Sequence, residues 1–238
     1  MTTQFDVMNL RYSAISGKAS YLSRERELRK KSWEMWEPFW RDIYASVGSE
    51  YKPNPDDFLR QDIIHVLEHN EKVVGLLCSS FYDLTCEINQ RHSYMKFYNL
   101  DFFQHLIKAD RSQTMTFEYL SLHPDFRKSK INLALAPILF RCGIEFFKQS
   151  RADSMIVTAR NDVKVNEILY GLGFHAVQEK TLQRNFECDL IALFKEDCRD
   201  LRGQEQSIFQ TLWKERFQSE MIYPFVSAGH RSNEKLAG

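Results

Sequence analysis

Residues 115–174 constrain this 238-residue chain more than any other stretch. Residues 115–122 read as a strand, and His123-Pro124 closes it, because proline cannot continue a strand ladder. A charged loop over residues 125–130 follows, carrying Arg127, Lys128 and Lys130, and an apolar helical pattern then runs to about Gln149. Pro137 either kinks that helix or sits in its first turn, since it has no N–H to donate. Residues 154–159 read as a short strand and 162–171 as a short helix, and Leu172-Gly173-Phe174 ends the unit. A strand that feeds cations into a helix N-terminus makes an anion trap, because unpaired N–H groups and the positive end of the helix dipole meet there. The ligand this suggests is a pyrophosphate or a phosphopantetheine phosphate. A plain solvated loop is the competing reading of Arg-Lys-Ser-Lys.

The remaining elements frame that unit. Residues 5–12 read as a first strand and 21–45 as a long helix, with Trp33, Trp36, Trp40 and Ile43 on one apolar stripe. Residues 62–68 and 73–81 form two strands joined at His69-Asn70-Glu71. Residues 84–109 are polar and aromatic, with Phe97, Leu100, Phe103 and Leu106 at roughly helical steps. Two final strands are expected at 174–181 and 185–194, a helix at 208–217, and a loose tail at 227–238.

Composition removes several classes. Basic and acidic side chains number 32 each, so the net charge is zero, which argues against binding nucleic acid over the whole surface. With 18 Phe, 10 Tyr and 4 Trp, a disordered ground state is excluded. No apolar run approaches the ~20 residues that a bilayer span needs, and the first residues lack the pattern of a signal peptide. The five cysteines, Cys78, Cys86, Cys142, Cys188 and Cys198, show no metal-ligand or disulfide-framework spacing. Buried or half-buried free thiols, no metal, no transmembrane segment and a cytoplasmic location are therefore expected.

The stretch Glu118-Tyr119-Leu120-Ser121-Leu122-His123-Pro124-Asp125-Phe126-Arg127, with Asn161 and Leu169-Tyr170-Gly171-Leu172-Gly173-Phe174 about forty residues later, resembles the GNAT superfamily of N-acyltransferases. The resemblance spans residues 5–194 and is specific around 115–174. It implies an α+β fold of the α/β/α sandwich type, with a mixed, mostly antiparallel central sheet flanked by helices. Residues 1–198 then form the acyltransferase domain, 84–113 a helical insertion before the donor-binding strand, and 199–238 a C-terminal helix and tail. The implied activity is transfer of an acyl group from an acyl-CoA or acyl-carrier-protein thioester to a primary amine such as an amino acid. The implied donor-binding residues are Leu120, Ser121, Leu122, Arg127, Lys128, Ser129, Lys130, Ile131, Asn132 and Asn161. Leu120 to Leu122 would act through the backbone.

Departures from the family pattern bear on catalysis. Lys130 and Asn132 stand where the family loop has small residues that let a phosphate approach the backbone. Leu169 stands where family members often place a tyrosine that protonates the leaving thiolate. Tyr170 is one residue later, a rotation of ~100° on a helix, and is the acid available nearby. Leu10-Arg11-Tyr12, Asp56-Asp57-Phe58 and Val73-Val74-Gly75 resemble the N-acyl amino acid synthases and acyl-homoserine-lactone synthases, which take long acyl chains. The arginine that usually follows the donor-strand glutamate there is missing.

From the residues themselves, Glu118 is the sole acid in its strand and suits general base work if partly desolvated. His65 and His123 read as structural, Ser121 lacks a nucleophile elbow, and Cys142 lies on an apolar helix. Arg24, Arg29, Lys30 and Lys31 could dock an acyl carrier protein or lipid headgroups, with a solvated helix face as the plainer reading. A GNAT-like binding module without catalysis is the competing function, and a peripheral membrane or partner-binding protein a third.

Overall fold

The segments expected from periodicity become the following elements in a computed structural model that describes residues 5–18 and 20–225. In chain order these are β1 (Leu10–Ile15), α1 (Ser23–Ser46), α2 (Pro55–Leu59), β2 (Ile63–His69), β3 (Lys72–Ser79) and β4 (Phe81–Asp83). Then come α3 (Glu87–Gln90), α4 (Leu100–Lys108), β5 (Gln113–Leu122), α5 (Lys128–Ile131), α6 (Leu135–Gln149) and β6 (Ser154–Arg160). The last are α7 (Val165–Gly171), β7 (His175–Gln183), β8 (Phe186–Phe194), α8 (Gly203–Lys214) and β9 (Phe217–Gln218).

The strands form one sheet in the order β7-β8-β6-β5-β3-β2-β1-β9, with β4 beside β5. Among the described residues only β5–β6 and β1–β9 pair in parallel. Alternation of side chains builds a core on each face. Met155 and Val157 of β6 pack with α6, α7 and α8, and Ile156 points the other way to the segment carrying α3 and α4. Beside that segment, α1 and α2 cover Ile64, Val66, Leu76 and Cys78. The result is the expected helix–sheet–helix sandwich. Gly143 lets α6 lie close on β5, because a Cβ there would stand 2.4 Å from the Phe117 ring. Gly173 ends α7 at a φ of +105°, against the Asp197 carbonyl.

The structure moves several boundaries. The first strand starts at Leu10, because the Asp6 carboxylate accepts the Met8 N–H and turns residues 7–9 into a 3-10 turn. The helix expected after residue 130 starts only at Leu135, and the expected loop carries a short helical turn of its own, α5. Asn132 adopts a left-handed φ of +54°, a conformation that asparagine tolerates better than most residues, and Pro137 then falls in the first turn of α6. The α1 stripe runs Leu28, Ser32, Trp36, Trp40 and Tyr44 at four-residue steps, leaving Trp33 and Ile43 half-buried at its edges. The short strands β4 and β9 carry too few residues for a periodic signal. Residues 199–225 pack Ile208, Phe209, Leu212 and Ile222 into the α6 core. The expected loose tail, residues 227–238, lies outside the described residues. Cys78, Cys142 and Cys188 are buried and Cys198 half-buried, whereas Cys86, just before α3, is exposed, contrary to the expectation for the thiols. Among the described residues no helix is long and apolar enough to cross a membrane.

Candidate active site

The central sheet opens in its middle. β5 and β6 pair from Thr114–Ser154 to Phe117–Val157 and no further, so the two strands part beyond Phe117. Two features hold the opening. Tyr119 sits at a φ of +56°, a left-handed conformation that costs a non-glycine residue about 1–3 kcal/mol. The β3–β5 register slips at the same place. The second feature is Tyr94, from the segment between β4 and β5. Its hydroxyl donates to the Phe117 carbonyl at 2.9 Å and accepts the Thr158 N–H at 3.0 Å. A side chain thus takes the place of the next strand-to-strand hydrogen bond, and burial pushes its phenol up from the ordinary value.

A cavity of about 470 Å³ occupies the opening. Phe39, Trp40 and Tyr44 of α1 wall one side, Tyr94 and Phe97 of the insertion another, and Phe140 of α6 lies beyond the sheet. The walls are mostly apolar, and the cavity reaches elements on both faces of the sheet. The aromatic helix α1 and the segment between β4 and β5 thus both contribute to this cavity.

Glu118 is the acid on the cavity wall, with a side chain only 2% exposed. One carboxylate oxygen takes Nη2 of Arg60 at 2.5 Å and the Gln61 amide at 3.4 Å, and the other accepts the Thr116 hydroxyl at 3.0 Å. Arg60, at the end of α2, also donates to the Tyr82 hydroxyl at 3.1 Å. Although burial disfavours its charge, the neighbouring Glu118 carboxylate holds the guanidinium above the usual arginine range. The carboxylate is therefore desolvated, but it is ion-paired rather than isolated.

A second buried acid, Asp189 of β8, lies outside the cavity. It accepts the Lys180 N–H at 3.0 Å, the Asn161 and Asn166 amides at 3.0 and 2.9 Å, and the Tyr170 hydroxyl at 2.8 Å. Burial pushes its pKa up, but these donors outweigh it and bring the value down to about 2. Tyr170 and Asn161 are thus absorbed in a knot that ties α7 to β8, and neither lines the cavity.

Of the other expected site residues, Leu120, Leu122 and Arg127 line the cavity. Ser121 is fully buried, accepting from the Trp40 indole at 2.9 Å and donating to the Tyr119 carbonyl. Lys128, Ser129, Lys130 and Asn132 are exposed, and Ile131 is half-buried, on or beside the single turn of α5. The first turn of α6 has no side-chain cap at Ala134. His65 lies in the core between the Tyr12 hydroxyl at 2.7 Å and the Ser79 hydroxyl at 3.0 Å, and burial brings its pKa down to about 3. His123 accepts the Asp125 N–H and faces the Lys72 ammonium at 3.0 Å. Neither histidine lines the cavity.

The basic start of α1 is largely engaged. Arg29 donates twice to the Ser16 carbonyl, at 3.0 and 2.8 Å, and Lys30 and Lys31 pair with Glu34 and Glu27. Arg24 lies over the Phe217 ring. Among the described residues no group of three His, Cys, Asp or Glu side chains could hold a metal ion. Sequence reasoning missed Arg60, Tyr94 and Arg184, which all line the cavity. No local spacing links them to Glu118.

A scan of protein-family models and a search of curated proteins find no match to this sequence. Solved structures do match in shape. The CoA-dependent acyl-homoserine lactone synthase BjaI superposes with a TM-score of 0.58 at 11% identity, covering 90% of this chain and 98% of that one. FeeM, an N-acyl amino acid synthase from uncultured soil microbes, gives 0.51 at 12% identity, covering 79% and 94%. An agmatine N-acetyltransferase gives 0.52 at 8% identity, covering 78% and 99%. By these likenesses the chain has the GNAT fold.

Proposed function

We propose that this protein is an N-acyltransferase that moves an acyl group, long-chain in our reading, from an acyl-CoA or acyl-carrier-protein thioester to a primary amine such as an amino acid. The observation that carries the reading is the cavity in the opening between β5 and β6, with the buried Glu118 carboxylate on its wall and Arg127 among its lining. Aminolysis of a thioester needs a neutral amine, a route for its proton and donors for the oxyanion. Glu118 takes the amine proton, directly or through a water. Backbone N–H groups of residues 120–122, which lack a β6 partner, pair with the donor and polarise its carbonyl. The C–S bond breaks as the C–N bond forms, and the thiolate leaves with a proton returned along the same route. Arg127 and Lys130, with Lys128 and the leading N–H groups of α6, hold the donor phosphate, and Asn132 supplies the left-handed turn between them. Arg24 and Lys30 are the exposed cations for a carrier protein.

A GNAT-like module that binds a thioester without transferring its acyl group is the second reading. It is favoured by one observation: Arg60, Gln61 and Thr116 already engage both oxygens of Glu118. Mass spectrometry of reactions pairing acyl-CoA and acyl-carrier-protein donors of several chain lengths with an amine panel separates the two. N-acylated product establishes the enzyme, and a thermal shift by donor with no product from any pair supports the module. Arg127→Ala combined with Lys130→Ala should weaken donor binding at least tenfold, and unchanged affinity would remove the phosphate assignment.

A further inference from the structure

Resting on that reading, we propose that Arg184 anchors a carboxylate on the acceptor amine. Four arginines line the cavity: Arg60, Arg127, Arg160 and Arg184. Arg60 is paired with Glu118, and Arg160 meets both oxygens of Asp162 at 3.0 and 2.6 Å. Arg127 belongs to the donor loop. Among the described residues Arg184 has no carboxylate within salt-bridge distance. Its Nη1 donates to the Tyr44 hydroxyl at 2.9 Å, and its guanidinium carbon lies 3.6 Å from the Tyr51 ring centre and 5.5 Å from that of Tyr44. Aromatic faces hold the cation flat without neutralising it.

The backbone gives a second reason. Arg184 and Asn185 form the two-residue turn between β7 and β8, with φ of +48° and +68°. Such turns favour Asn, Asp or Gly, whereas a long side chain in the left-handed region costs roughly 1–2 kcal/mol. The turn is also pinned to the end of α1, where the Asn185 amide donates to the Val47 carbonyl at 3.1 Å. An arginine placed at this cost, clamped and aimed among tyrosines, is a pre-organised anion site. A partly buried cation among aromatic walls gains most from a compact anion that replaces lost water. The donor phosphate has its own cations on α5 and the loop before it, so the anion that Arg184 serves is on the acceptor. Tyr119 follows Glu118 in the chain, and its hydroxyl reaches to 3.5 Å from that of Tyr51. The carboxylate binds at Arg184, and the amine is presented from there toward the Glu118 side of the same cavity.

The test uses matched acceptors, phenylalanine and phenylethylamine, which differ in the carboxylate. Wild type should favour phenylalanine at least tenfold in kcat/KM. Arg184→Asn, which suits the left-handed turn, should erase that preference through KM while kcat changes little, and Arg184→Lys should restore part of it. Equal kcat/KM for the two acceptors in wild type, or an undiminished preference in Arg184→Asn, overturns the site while leaving acyl transfer standing. Thermal shifts with N-acylphenylalanine and N-acylphenylethylamine need no turnover. If no donor yields product, a shift by the carboxylated ligand alone that Arg184→Asn loses keeps the anion site and sinks the enzyme reading. Equal shifts from both ligands sink the site as well.

Discussion

Two of the protein's buried acids, Glu118 on β5 and Asp189 on β8, lie in opposite surroundings. Asp189 is surrounded by neutral donors: one backbone N–H, two amides and a phenol, all within 3.0 Å. Such a shell stabilises the charged form and leaves it nothing further to do. Glu118 is held instead by a guanidinium, a distant amide and a hydroxyl, and its wall faces an open cavity. A saturated acid outside a cavity is a structural tie. An acid paired with a guanidinium on a cavity wall is, in the reading proposed above, the group that takes the amine proton. This contrast separates fold from chemistry here more sharply than burial does, because both carboxylates are nearly hidden.

The comparison breaks most directly at Glu118. Glu118→Gln keeps the shape and loses the proton acceptor, so acyl transfer should fall about 100-fold or more. Donor-induced thermal shift should persist, which separates lost chemistry from lost folding. Turnover within threefold of wild type across pH 6–9 would place the base elsewhere.

The expected effect at Asp189 is on stability. Its folded value of about 2 lies below the ordinary carboxylate range. A depressed folded value contributes stability that is complete above the unfolded pKa of about 4 and is lost as pH falls through about 2. Asp189→Asn should therefore lower stability by about 2 kcal/mol at neutral pH. The deficit relative to wild type should shrink as the melts are taken down from pH 5 toward pH 3. A deficit independent of pH would mean that the charge on Asp189 contributes nothing. No comparable change in kcat is expected, in contrast to Glu118.

What the sequence revealed of this pair follows from how far each determinant reaches. Proline at 124, the cation run and the apolar period of α6 are local, and they exposed the strand, loop and helix that frame the site. Glu118 was visible because it is the lone acid of its strand. Its partner Arg60 is 58 residues away on another element, and no spacing rule joins them. Tyr94 was equally hidden, since weak helical periodicity over 84–109 says nothing about which ring reaches the sheet. The break at Asn132 is decided by one left-handed residue between two helical runs, which an apolar period reads straight through. Asn161 and Tyr170 were conspicuous because of the motif they belong to, but the hydrogen bonds of Asp189 claim them.

Tyr170 supplies the smallest and most discriminating change. Leu169, one step earlier on α7, is fully buried in the α6 core, and that fixes the helix rotation. A step of ~100° then carries Tyr170 away from the core and onto Asp189. Burial and the adjacent carboxylate both hold its phenol above the ordinary value, so it keeps its proton where a general acid would have to release it. Tyr170→Phe removes one of four hydrogen bonds to Asp189 and should cost about 1 kcal/mol. Acyl transfer should stay within threefold of wild type, because this hydroxyl is engaged by Asp189 and does not line the cavity. A hundredfold loss of kcat with donor binding intact would instead require α7 to turn toward the cavity during turnover. Asp189 would then be the orienting partner of a catalytic acid, and the division between the two carboxylates would fail.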